Sequence, residues 1–157
     1  MISIFYANPT DASPIAKLFV ENVDESYITA SEEIWNRATL ENGWCNDLYD
    51  NVRLEILDGI KSGDKLILVM YDDEKLIGYT FTAFKNNSCA ELEDFVVHRD
   101  YRRDGLGKKL YDRTVEACKA NNINTLFLEV GHNNSKMHSF CEKNGMQQTS
   151  IRYWQKV

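Results

Sequence analysis

A chain of 157 residues is long enough to bury one genuine core and too short for two ordinary domains, so a single domain over residues 1–157 is expected. Its 43% hydrophobic and 27% charged content are ordinary for a globular protein. The net charge of −6 argues against a nucleic-acid partner, which needs a basic stripe to meet phosphates. It suits a cationic small molecule drawn to an acidic cleft, and it suits equally a surface charged for solubility.

The opening Met1-Ile2-Ser3-Ile4-Phe5 has neither a basic region nor an apolar stretch of leader length. The longest apolar run, residues 66–71, is strand-sized. A cytoplasmic protein with no membrane contact is expected. Cys45, Cys89, Cys118 and Cys141 form no C-x-x-C pair; four cysteines could make two disulfides, but for an expected cytoplasmic protein reduced thiols are expected. His98, His132 and His138 lack metal-ligand spacing, so no metal site is expected.

In chain order, residues 2–7 alternate weakly and predict a strand. Asp11 precedes an amphipathic stretch carrying Ile15, Leu18, Phe19 and Asn22, with Pro14 in the first turn, which predicts a helix. Residues 24–46 are polar with scattered aromatics (Tyr27, Trp35, Trp44) and show no period. Leu48, Val52, Leu54, Ile56, Leu57 and Ile60 predict a second helix, stopped by Gly59 or Gly63. Residues 65–71 and 75–84 flank the acidic turn Asp72-Asp73-Glu74 and predict a hairpin. A strand over 90–98 follows, then a helix over 105–121 built on Leu106, Leu110, Tyr111, Thr114, Val115 and Cys118. Residues 125–130 predict a buried strand, residues 135–144 a helix stopped by Gly145, and residues 146–157 a final strand or hairpin. Strands interleaved with helices in this order predict an α/β fold, a mixed sheet with helices on both faces.

The chemistry is concentrated after the 90–98 strand, where Arg102-Arg103-Asp104-Gly105-Leu106-Gly107 opens a helix. Glycines let backbone approach a ligand, and the exposed amides of a helix start suit an anion. Lys108 and Lys109 oppose the helix dipole there, which makes sense if a phosphate binds beside them. The spacing fits neither a Walker A loop nor the dinucleotide fingerprint, whose third glycine position is Leu110. Two glycines needed only for packing would give the same letters.

This segment resembles the GNAT acetyltransferases, whose signature is Arg/Gln-x-x-Gly-x-Gly/Ala after the fourth strand. Arg102, Gly105 and Gly107 match it, and Asn134 with Cys141-Glu142-Lys143-Asn144-Gly145-Met146 occupies the register of a second family run. The resemblance implies a GNAT-type sheet of six to seven mostly antiparallel strands. It also implies acetyl-CoA as cosubstrate, with Arg102, Arg103, Asp104, Gly105, Leu106, Gly107 and Lys108 around its pyrophosphate. Phe95, Val96 and Val97 would then lie beside the pantetheine, and Asn134 would bond CoA as well as cap its helix. The wording of residues 92–97 and 100–102 is similar to the diamine (spermidine/spermine) branch.

Acetyl transfer to an amine needs a group to take the amine proton and one to protonate the departing thiolate. Glu91 and Glu93 lie two apart on one strand and share a face, where mutual repulsion would raise one pKa and attract a cationic amine. The diamine branch uses a glutamate at the position of Glu93, which is therefore the first candidate base and Glu91 the second. Where the family carries its acidic tyrosine this chain has Cys141, a shorter and weaker donor with an ordinary pKa of ~8.5. Cys141 either acts as the acid, yields the role to water, or only packs its helix. Tyr27, Trp35 and Trp44 fall where the family builds its acceptor pocket. The expected activity is direct transfer to a small cationic amine, a polyamine or an aminoglycoside, by a protein that could pair as a homodimer. The alternatives are a protein lysine or N-terminal amine as acceptor, or a silent CoA-binding module.

Overall fold

The computed structural model describes residues 1–157. They form two compact units, the first comprising 1–23 and 49–129, the second 24–48 and 130–157. No helix is long and apolar enough to cross a membrane, and all four cysteines are free thiols.

The first unit is a five-stranded sheet in the order β1-β4-β5-β6-β7. Its strands are β1 (Ile2–Tyr6), β4 (Lys65–Asp72), β5 (Lys75–Phe84), β6 (Cys89–Val97) and β7 (Thr125–Phe127). Every pair is antiparallel except β6 with β7, which is parallel. Alternation puts successive side chains of β4 on opposite faces. Ile67 meets helix α3 (Leu48–Lys61) together with Phe81, at the close approach allowed by Gly59. Leu66, Leu68 and Met70 join Leu110, Ala117 and Cys118 of helix α4 (Leu106–Ala120) in one core cluster. Helices therefore cover both faces. Between sheet and α4 the hydroxyls of Thr80 and Thr114 meet at 2.9 Å, which satisfies two polar groups in an otherwise apolar layer.

Helix α1 (Ala12–Asn22) packs on β5 and β6. It begins behind a capping box in which Asn8 and Asp11 exchange backbone and side-chain bonds.

The second unit is built from short pieces. Helix α2 (Ala30–Ile34), a two-stranded ladder of β2 (Ala38–Thr39) with β3 (Gly43–Trp44), and helix α5 (Ser135–Lys143) are its regular elements. Glu32 and Arg37 form an ion pair at 3.6 Å with both side chains buried, and Arg37 also lies over the Trp35 ring.

The structure chooses between the two expected α3 stops and corrects two expected strands. The α3 helix runs through Gly59 to Lys61, and it is Gly63 that follows its end. The strand expected over 125–130 stops at Phe127, and residues 146–157 form no strand or hairpin. The main sheet accordingly holds five strands rather than six to seven, and the small ladder of β2 with β3 lies in the stretch that showed no period.

Candidate active site

The β6 strand carries a bulge: Phe81 pairs with Asp94 and Thr82 with Leu92, so Glu93 is the extra residue. The irregularity leaves Glu93 on the same side as Glu91 while Asp94, one residue on, is completely buried and accepts from the Tyr79 hydroxyl at 2.9 Å. On its other side β6 pairs with β7 only at Cys89, Ala90 and Glu91. The sheet therefore opens along the second half of β6, beginning at the bulge.

Glu91 and Glu93 do share a face, but they are not an isolated pair of like charges. The Lys85 ammonium lies 2.8 Å from Glu93 Oε1 and 3.5 Å from Glu91 Oε2. Burial acts to lower the Lys85 pKa, but the hydrogen bond and charge of Glu93, then those of Glu91, outweigh it and hold the ammonium above its ordinary value. The expected repulsion between the glutamates is thus met by a counter-ion that the sequence reading missed. The available signal was the hairpin itself: Lys85 is the first of the four residues that connect β5 to β6, from which it reaches back to Glu91 and Glu93.

Beyond β6 the chain enters a 3-10 turn, Arg99–Tyr101. His98 Nδ1 accepts from the Asp100 amide at 3.2 Å. Partial burial, then the Lys75 cation, hold its pKa below the usual imidazole value, which favours the neutral ring this bond needs. Arg102 folds back along the chain: its Nε donates to the Val97 carbonyl at 2.9 Å and Nη2 to the Asn22 carbonyl at 2.6 Å. Asn22 Oδ1 accepts from the Arg99 amide at 2.8 Å, so the last residue of α1 holds the turn at two points.

The backbone then becomes left-handed at Arg103 (φ 80°) and Gly105 (φ 73°). Gly105 occupies the N-cap position of α4, no side chain caps the helix, and its first turn holds no acid. Lys108 reaches Asp112 one turn on, at 2.6 Å. The amides that open α4 and the positive end of its dipole thus meet no carboxylate from their own turn, the arrangement an anion uses. A β-carbon on Gly107 would lie 3.8 Å from Phe95 and 3.9 Å from Val97, ordinary contact distances. The protein's own packing does not require glycine there. Phe95 and Val97 face α4, whereas Val96 is buried on the opposite side of the strand.

Asn134 and Cys141 belong to the second unit. Asn134 caps α5, its Oδ1 accepting from the Met137 amide at 3.2 Å. Cys141 is half-buried on the same helix, and burial, reinforced by Glu142 and only partly opposed by a backbone hydrogen bond, pushes its thiol above the ordinary thiol value. It is a protonated thiol at neutral pH. His138 Nε2 lies 3.1 Å from the Gly131 carbonyl, so as a donor the ring is directed to backbone. In the aromatic stretch, Tyr27 and Trp44 tilt together with centroids 6.3 Å apart.

The model of the acetyltransferase (GNAT) family matches residues 20–146. Among similar solved structures is the PaiA N-acetyltransferase from Thermoplasma acidophilum in complex with coenzyme A. It is 23% identical, with 97% of this chain and 93% of that chain covered, and the TM-score is 0.77. The aminoglycoside N-acetyltransferase AAC(6')-Iy in complex with CoA is 13% identical over 99% of this chain and 95% of that one, TM-score 0.72. A ribosomal-protein alanine N-acetyltransferase from Escherichia coli is 20% identical over 97% and 81%, TM-score 0.69. Among curated proteins none matches the sequence. With the family model spanning most of its length, the chain belongs to the acetyltransferase (GNAT) family and is an acetyl-CoA-dependent N-acetyltransferase.

Proposed function

We propose that the chain moves the acetyl group of acetyl-CoA onto the primary amine of a small cationic acceptor, by direct attack with both substrates bound. The observation that carries the CoA half of this reading is the start of α4. Its N-cap is a left-handed glycine, its first turn lacks an acid, and Gly107 leaves open a space that the fold itself does not need. A pyrophosphate fits those requirements, with amides of residues 103–108 as donors and Lys108 and Lys109 nearby as charge. By the family resemblance, the half of β6 beyond the β7 ladder, Phe95 to Val97, lies beside the pantetheine, and Asn134 adds a bond to CoA.

The acceptor nitrogen attacks the thioester carbonyl, the carbon–sulfur bond breaks, and the amine proton passes to the Glu93 carboxylate directly or through one water. Glu91 is the reserve base. The departing thiolate takes a proton from the Cys141 thiol, which matches the family's tyrosine position and is protonated at neutral pH, or from water. A nucleophilic role for Cys141 fits poorly, because its raised pKa leaves little thiolate. The acidic balance of −6 supports a cationic acceptor, as does the likeness of residues 92–97 to the diamine branch.

Thiol release from acetyl-CoA, measured against alkylamines, diamines, an aminoglycoside and a peptide with a free N-terminal alanine, tests the reading. Release that depends on a small cationic amine supports it. Release only with the peptide would move the acceptor class to protein amines, and none with any amine would leave a CoA-binding module.

A further inference from the structure

The feature that the acetyl-transfer reading does not absorb is Lys85. Its ammonium is 2.8 Å from Glu93 and 3.5 Å from Glu91, and no other cation bridges the two carboxylates. The side chains are graded in exposure, 45% for Lys85, 27% for Glu91 and 14% for Glu93, so the lysine reaches down from the rim onto the more buried acid. Two carboxylates at this spacing form a seat for one ammonium group, and the protein has filled that seat from its own chain. With Lys85 in place the trio carries one net negative charge; without it, two.

We infer that Lys85 is a specificity-determining residue that occupies the position a second ammonium of a diamine acceptor would take, and so withholds from diamines the advantage they would otherwise have over acceptors with a single cationic amine. The inference rests on the proposed placement of the acceptor amine beside Glu93. The amine that reacts needs Glu93 to receive its proton, and the remaining single negative charge suffices to attract it. A second ammonium on the same acceptor would have to displace Lys85 from a hydrogen bond and two charge contacts to gain the same partners. That exchange returns little net free energy, because the lost and gained interactions are of one kind. Lys85 thereby acts against a class of ligand as well as for the placement of Glu93.

The test compares butylamine with diaminobutane, titrated by calorimetry into the CoA-loaded protein. Wild type should bind the two with similar affinity. Lys85→Met should tighten diaminobutane relative to butylamine by at least about threefold, the scale of one partly exposed ion pair. Lys85→Arg, which keeps the charge, should behave as wild type. No gain for diaminobutane in Lys85→Met, through equal binding of both amines or through binding of neither, overturns the inference. Turnover of Glu93→Gln separates this outcome from a failure of the underlying reading. Full turnover there would remove Glu93 as base, whereas a slow Glu93→Gln enzyme with unchanged selectivity in Lys85→Met would remove only the role of Lys85.

Discussion

Arg102 donates from Nε to the carbonyl of Val97 at 2.9 Å, folding its guanidinium back onto the strand it has just left. The arginine of the Arg-x-x-Gly-x-Gly run therefore holds the loop in shape, and the anion site proposed at the start of α4 would be formed by backbone amides. A second bond to the Asn22 carbonyl ties the same side chain to α1. Arg102→Met removes both bonds. It should cost about 1–2 kcal/mol, since the site is solvent-exposed, lower the melting temperature by a few degrees, and weaken CoA binding. Calorimetry with CoA checks this; full CoA affinity in the variant would mean the loop holds its shape without Arg102.

Gly105 and Gly107 should separate cleanly. At Gly105 the requirement is conformational, φ 73°, with open space around it, so Gly105→Ala should cost about 1–2 kcal/mol of stability. At Gly107 the backbone is helical and a β-carbon meets only ordinary contacts, so Gly107→Ala should leave the melting temperature level or raise it slightly. CoA affinity should nevertheless fall, and Gly107→Val should abolish binding in a folded protein. Unchanged CoA affinity in a folded Gly107→Val variant would take the pyrophosphate away from this helix start.

Cys141 is expected to remain a thiol through the neutral range. Alkylation by iodoacetamide should be slow at pH 7 and rise only as the pH passes the ordinary thiol range, because burial holds the folded-state pKa above it. If the thiol is the acid, Cys141→Ala slows turnover, and Cys141→Tyr restores it, since a phenol reaches further and stays protonated. If Cys141 only packs α5, Ala costs stability, about 1–2 kcal/mol, and leaves turnover per folded molecule intact.

Tyr71 gives a pH signature remote from catalysis. Burial, then its 2.6 Å hydrogen bond to Asp11 and the charge of that carboxylate, push its pKa up to about 12. A folded-state pKa above the unfolded value means a contribution to stability that is complete below pH 10 and lost as the pH climbs to about 12. Denaturation midpoints should therefore fall in that window, and Tyr71→Phe should lose less stability across it than wild type.

What the sequence made legible was periodic or rigidly spaced. The α4 start was readable because glycines at 105 and 107 and lysines at 108 and 109 have local meanings, and β4 and β5 because their apolar runs flank an acidic turn. Glu91 and Glu93 were placed on one face by simple alternation. Their bridging by Lys85 was legible only in part: the hairpin connection could be read, but the bulge that shifts the pairing by one residue could not. Residues 24–48 hold a five-residue helix and two-residue strands. Such elements carry no periodic signal, since their order comes from tertiary contacts such as the buried Glu32–Arg37 pair rather than from local preference. The tail failed for the opposite reason. Ile151, Tyr153, Trp154 and Val157 are residue types that favour strands, yet all four are exposed and belong to no sheet.

The most direct test of the account is turnover of the best acceptor from the amine panel, compared between wild type and Glu93→Gln as a function of pH. If Glu93 takes or relays the amine proton, the variant should be slower by ~10²–10⁴-fold at neutral pH. The deficit should shrink as rising pH supplies acceptor that is already deprotonated. A small deficit that does not change with pH would contradict Glu93 as the base and leave the proton to Glu91 or to bulk water.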